Sequence, residues 1–185
     1  MGLATLFAFP LVGWLMLFFL PESWGLSFWD MFKIESKHYY LLPVFLSIGI
    51  TFGLFVIWMT ELDYFDEAME KYKNLLDNYS LNTFYVVFLS VCAGVGEEIF
   101  FRGALQPLIN FFSTVSIAIS VTAIFFVAIH GYFSFKNKRI NIFAILLTLF
   151  IGLLGWGAYQ YTLWLAISAH FSYDLVLLFY YKKMK

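Results

Sequence analysis

The sequence predicts an all-α fold, a polytopic transmembrane helix bundle with about six spanning helices plus interfacial helices, and three observations carry that prediction. Of the 185 residues, 62% are hydrophobic, 23% aromatic and only 12% charged, fractions far outside the soluble globular range. The apolar residues are gathered into runs close to the ~20 residues that cross a bilayer. Trp156, Tyr159, Tyr161 and Trp164 fall where two such runs meet, as an aromatic belt at a membrane surface does. The same composition excludes other classes. A net charge of -1 with no long basic stripe offers nucleic acid no surface. The single cysteine, Cys92, excludes an internal disulfide and any cysteine-cluster metal site. No internal repeat of roughly 20 to 50 residues is visible, so residues 1–185 read as one integral membrane domain.

Leu3 to Leu20 is the first apolar run, with Pro10 as an expected kink and no basic leader or cleavage pattern, so it reads as a retained helix. Ser23 to Tyr40 mixes Trp24, Phe28, Trp29 and Phe32 with charged residues and suits the headgroup level. Leu41 to Thr60 is the second span. Glu61 to Ser80 carries six acidic residues and two lysines, with Leu62, Phe65, Met69, Tyr72 and Leu76 on one side, which is the pattern of an amphipathic interfacial arm. Ser80 or Asn82 can cap a long third helix that runs to Phe112 and is bent by Pro107. A turn at Ser113 to Ser116 leads into a fourth ending at His130. Ile142 to Trp156 and Tyr161 to Tyr181 are the fifth and sixth. With six spans, the arm, the Lys136 to Arg139 loop and the C-terminal tail share one side and hold eight of the eleven basic residues. The excess of positive charge on cytoplasmic loops then places both termini in the cytoplasm, and the expected setting is a bacterial cytoplasmic membrane.

Ionisable residues inside apolar helices are costly and point to function. Glu97, Glu98 and Arg102 share the third helix. Glu98 and Arg102 are four apart and lie on one face, where each offsets the other's desolvation. Glu97 is turned about 100° from Glu98, so it must find another partner. His130 and His170 end or occupy two further apolar helices, and Asp174, four residues after His170, faces the same way and could hold its imidazole by one ring nitrogen. A hairpin turning near Thr114 puts Glu98 and His130 both ~24 Å from the turn, and a last helix starting near Ala158 puts His170 ~18 Å from that face. The three can therefore meet in one layer. Burial beside a second carboxylate raises the pKa of a carboxyl group toward neutrality, where it can serve as a general base. Gly94, Gly96 and Gly103 leave room for close approach.

These residues resemble the CAAX prenyl protease and bacteriocin-processing (CPBP, or Abi) family of glutamate-type intramembrane proteases. Its motifs appear here as Glu97-Glu98-x-x-x-Arg102, Phe126-x-x-x-His130 and His170-x-x-x-Asp174, in that order, and the resemblance covers Leu81 to Tyr181. It implies a peptide bond cut in a membrane-tethered substrate, without metal or organic cofactor. It also implies that Glu97 with His130 activates a water, while His170 with Asp174 forms the oxyanion site. Since an ionised aspartate cannot donate to an oxyanion, Asp174 is expected to orient His170 rather than to donate. Phe126 is expected to wall the substrate pocket.

Other readings stay open at this stage. His130, His170 and Glu97 have the donor types of a zinc protease, although the His-Glu-x-x-His spacing is absent. Cys92 lies on a different face from the glutamate pair and reads as a buried apolar residue rather than a nucleophile. A membrane immunity factor or scaffold would need none of the motif residues, and a proton-coupled transporter would show matched broken helices, which are not visible.

Overall fold

In a computed structural model, residues 2–18, 29–76, 82–134 and 137–184 are described. Among them there are helices and no strands. Helix α1 spans Gly2–Phe18, α2 Leu41–Glu61, α3 Asp66–Leu76, α4 Thr83–Phe100, α5 Gln106–Phe112, α6 Val115–Ile129, α7 Lys138–Gln160 and α8 Leu163–Met184. Among the described residues, four stretches are long and apolar enough to cross a membrane: Ser36–Glu61, Thr83–Phe112, Lys138–Gln160 and Leu163–Met184. Leu6–Met16 and Val115–Ile129 are shorter apolar helices, so four of the six expected spans reach full length. The protein is an integral membrane protein, and large apolar side chains such as Leu54, Trp58, Ile145 and Leu149 face outward from its helices, where lipid is the solvent.

Element boundaries moved where polar residues could be satisfied. The fifth run starts earlier than expected because Asn137 caps α7, its side chain accepting from the Arg139 amide at 2.9 Å and drawing Lys138 and Arg139 into the first turn. Asn82, rather than Ser80, is the cap on view, accepting from the Tyr85 amide at 2.9 Å. Ser80, Pro21 to Phe28, Lys136 and Lys185 lie outside the described residues. In the arm, Phe65, Ala68 and Met69 are buried and Leu62 is exposed, so Leu62 leaves the apolar face assigned to it. Contacts that tie down α3 and the residue before it include the Phe65 ring meeting Phe143 edge-on at 5.2 Å, the Asn137 side-chain amide donating to the Glu67 carboxylate, and the Tyr181 hydroxyl donating to the Met69 carbonyl at 3.2 Å.

The bend expected at Pro107 takes the form of a π-helical turn, Phe101–Leu105, between α4 and α5. Proline has no N–H and its ring crowds the carbonyl four residues back, so widening the preceding turn relieves both problems. The Gln106 amide then reaches the Phe101 carbonyl, five residues back.

Helix α8 is the centre of the bundle, with α2, α4 and α7 packed around it. Small residues allow two of these approaches. A methyl group on Gly49 would lie 2.0 Å from the Ala169 carbonyl oxygen, and one on Gly94 would lie 2.9 Å from the Phe171 nitrogen. Backbones this close hold helices together by dispersion and packing, since the bilayer supplies no hydrophobic drive between helices. Gly49→Val is therefore expected to push α2 off α8 and to lower the thermal midpoint in detergent. The cost should reach or exceed the ~1–3 kcal/mol of ordinary overpacking, because the obstruction is backbone. A midpoint equal to wild type would show that α2 is free to shift. Segment 29–40 folds over the far end of the bundle, where Thr162 donates to the Met31 carbonyl at 3.2 Å and Phe32 meets Trp164 edge-on at 5.7 Å.

Candidate active site

The seven residues singled out in the sequence come together where α4, α6 and α8 meet. Glu98 is fully buried. Its Oε1 lies 3.0 Å from Arg102 Nη1 and 2.7 Å from His170 Nδ1. One carboxylate oxygen thus serves a cation on its own helix and an imidazole on α8. Arg102 is held on three more sides: Nη2 donates to the Ile151 carbonyl of α7 at 3.4 Å, and the guanidinium carbon stands 5.0 Å from the Phe126 ring centre and 5.8 Å from that of Phe101. Aromatic faces suit a guanidinium that water cannot reach.

Glu97, rotated away from this cluster, faces α6. Its Oε2 lies 3.7 Å from His130 Nε2, and the two side chains keep 14% and 32% of their surface accessible. His130 is the C-cap of α6, and its Nδ1 lies 2.6 Å from the Phe126 carbonyl oxygen. A carbonyl only accepts, so Nδ1 carries a hydrogen. In the neutral ring, Nε2 then turns a lone pair towards Glu97. A carboxylate and an imidazole lone pair 3.7 Å apart are too distant to bond to each other. A water beside them, ~2.8 Å from each, can donate to both.

His170 and Asp174 are separated by 3.6 Å between Nε2 and Oδ2, beyond a hydrogen bond. The nitrogen actually gripped is Nδ1, and Glu98 grips it. The orienting role given to Asp174 in the sequence thus falls on Glu98 by geometry, while Asp174 stays near the opposite ring nitrogen. Phe126 is buried, stacked on His130 at 4.4 Å and edge-on to His170 at 5.7 Å, so it separates the two imidazoles. Cys92 is buried and unbonded to sulfur. Among the described residues, no three His, Cys, Asp or Glu side chains converge as a metal-binding group.

Gln106 is a buried polar residue that sequence reasoning passed over. Gln106 sits four residues after Arg102, and its Nε2 donates to the Gly155 carbonyl at 3.0 Å. The pair Arg102 and Gln106 thereby reach the carbonyls of Ile151 and Gly155, one turn apart on α7, and lock the π-turn region to that helix. The i, i+4 spacing of two polar residues in an apolar helix was the available signal.

A family model described as type II CAAX prenyl endopeptidase Rce1-like matches residues 79–176, more than half of the chain. The chain belongs to this family. No curated protein and no solved structure gives a significant match. The matched residues include all seven side chains just described and end two residues after Asp174. Membership makes the protein a CAAX-protease-like intramembrane endopeptidase acting on a membrane-associated substrate. Helices α1, α2 and α3 lie outside the match, yet α1 packs along α4, with Phe9 stacked on Phe100 at 5.4 Å.

Proposed function

We propose that this Rce1-like protein cuts a peptide bond in a membrane-tethered protein or peptide, near a C-terminal tail or sorting segment, by the glutamate mechanism. Glu97 and His130 take up the proton of a water as its oxygen attacks the scissile carbonyl. His170, oriented through Nδ1 by Glu98 and held as the imidazolium beside Glu98 and Asp174, carries a hydrogen on both ring nitrogens and donates from Nε2 to the oxygen that becomes negative. Arg102 offsets the burial of Glu98 and so keeps that orientation. The observation that carries the reading is the separation of the two glutamates: Glu98 is spent on Arg102 and His170, whereas Glu97 is partly open and approaches the free nitrogen of His130.

His130 stands at the end of α6 that leads into the turn before α7, and the end of the bundle where α7 begins and α8 finishes carries Lys138, Arg139, Lys182 and Lys183. The positive-inside preference favours a bacterial cytoplasmic membrane with that end and both termini in the cytoplasm. The small extramembrane mass favours recognition of the substrate's own lipid or transmembrane anchor. Purified protein in liposomes should cleave a prenylated peptide and leave the same peptide without its anchor largely intact. A strong zinc chelator should leave the rate unchanged. Equal cleavage of the unanchored peptide would remove anchor recognition. Loss with chelator would recast Glu97, His130 and His170 as metal ligands, and no cleavage across a panel of tethered peptides would favour a non-enzymatic immunity or scaffold role.

A further inference from the structure

Helix α6 ends in a reversal whose local chemistry is legible residue by residue. Gly131 has φ +73°, the left-handed conformation that favours glycine. Its amide bonds the Ala128 carbonyl at 3.0 Å, and the Tyr132 amide reaches the Val127 carbonyl at 3.5 Å. This is a Schellman reversal, in which the residue after the glycine folds back against the helix. Tyr132 does so, and although it belongs to a loop only 8% of its surface is accessible. Its ring lies parallel to the His130 imidazole, with a 2° interplanar angle and 6.4 Å between centres, and edge-on to Phe143 at 4.9 Å. Among the described residues, nothing hydrogen-bonds its hydroxyl. The phenol nevertheless stands in the field of the site's carboxylates. Burial first, then Asp174 and Glu97, push its ionisation above the ordinary tyrosine range.

An oxyanion site needs donors, and the residues assigned so far supply one, His170 Nε2. Asp174 in its ionised form can only accept. A buried phenol with no hydrogen-bond partner among the described residues, its ring parallel to the His130 imidazole, supplies the missing second donor. We infer that Tyr132 is a catalytic residue of this chain, donating a hydrogen bond from its hydroxyl to the scissile carbonyl oxygen as that oxygen becomes negative. The water oxygen forms its bond to the carbonyl carbon, the carbonyl π pair moves to oxygen, and Tyr132 keeps its proton throughout. The inference rests on the glutamate reading proposed above.

The test is Tyr132→Phe, which keeps the ring against Phe143 and His130 and removes one oxygen. It is assayed on a prenylated peptide in liposomes beside wild type and Glu97→Gln. The expected result is a kcat lower by about 10²–10³-fold, the usual loss for one oxyanion donor, with KM within a few-fold and an unchanged thermal midpoint. A peptide carrying a phosphinate at the cleavage position, a tetrahedral anion mimic, should bind Tyr132→Phe more weakly by a similar factor, while binding of the plain peptide is preserved. Inactive Glu97→Gln with Tyr132→Phe at the wild-type kcat would overturn the Tyr132 role alone. Glu97→Gln at the wild-type rate would overturn the underlying mechanism instead. A fall in the midpoint of Tyr132→Phe that accounts for the lost rate would reduce Tyr132 to a packing residue.

Discussion

Glu97→Gln is expected to lower the cleavage rate by about 10²–10⁴-fold, the usual contribution of a positioned general base, and to leave the fold as it is. The two halves of that expectation have separate grounds. Glutamine matches glutamate in size, and Glu97 is partly accessible with His130, at 3.7 Å, as its only ion-pair partner among the described residues, so the amide disturbs no buried pairing. The amide cannot take a proton from water at any working pH, so the chemical step is lost. Rate and thermal midpoint measured on the same preparation separate these effects. Wild-type turnover would remove Glu97 as the base. If Glu98→Gln instead lost as much activity with an intact fold, the base would be reassigned to Glu98.

Arg102→Ala is expected to damage both fold and activity. The guanidinium is buried against Glu98, two aromatic rings and the Ile151 carbonyl, and its removal leaves the Glu98 carboxylate buried with His170 as its remaining partner among the described residues. Breaking a buried ion pair from one side costs ~3–5 kcal/mol, which should appear as a large fall in thermal midpoint in detergent. Arg102→Lys should recover little, because an ammonium lacks the planar fork and stacks less well between rings. Replacing both members, Glu98→Leu with Arg102→Leu, should be more stable than Arg102→Ala, since no orphaned charge remains, yet stay inactive because His170 loses its orienting partner. Arg102→Ala with the wild-type midpoint would show that the pair carries no structural weight. A double variant less stable than Arg102→Ala would place the cost in packing rather than charge.

What the sequence determined by itself is what depends on short-range geometry and on the solvent. Runs of apolar residues near the thickness of a bilayer specify helices, because a chain in lipid must satisfy its backbone hydrogen bonds within each segment. Glu98 with Arg102, four apart on a helix, could only face the same way, so their pairing was legible before any packing was known. The opposed direction of Glu97 was legible for the same reason.

Only the tertiary structure decided which histidine meets which glutamate. Two carboxylates about 100° apart on α4 can each meet whichever helix packs on that side. The choice was made by helix packing, in which Gly94 brings α8 against α4 and so delivers His170 Nδ1 to Glu98. His130 is left with Glu97 across α6. The i, i+4 spacing of His170 and Asp174 suggested a bond that the side chains do not make at 3.6 Å, because a shared helix face fixes direction but not reach. The π-turn before Pro107, the grip of Gln106 on α7 and the reversal at Gly131 that buries Tyr132 were likewise decided by packing. Each places a side chain against a partner remote in sequence or on a non-helical turn, where spacing along one helix carries no information.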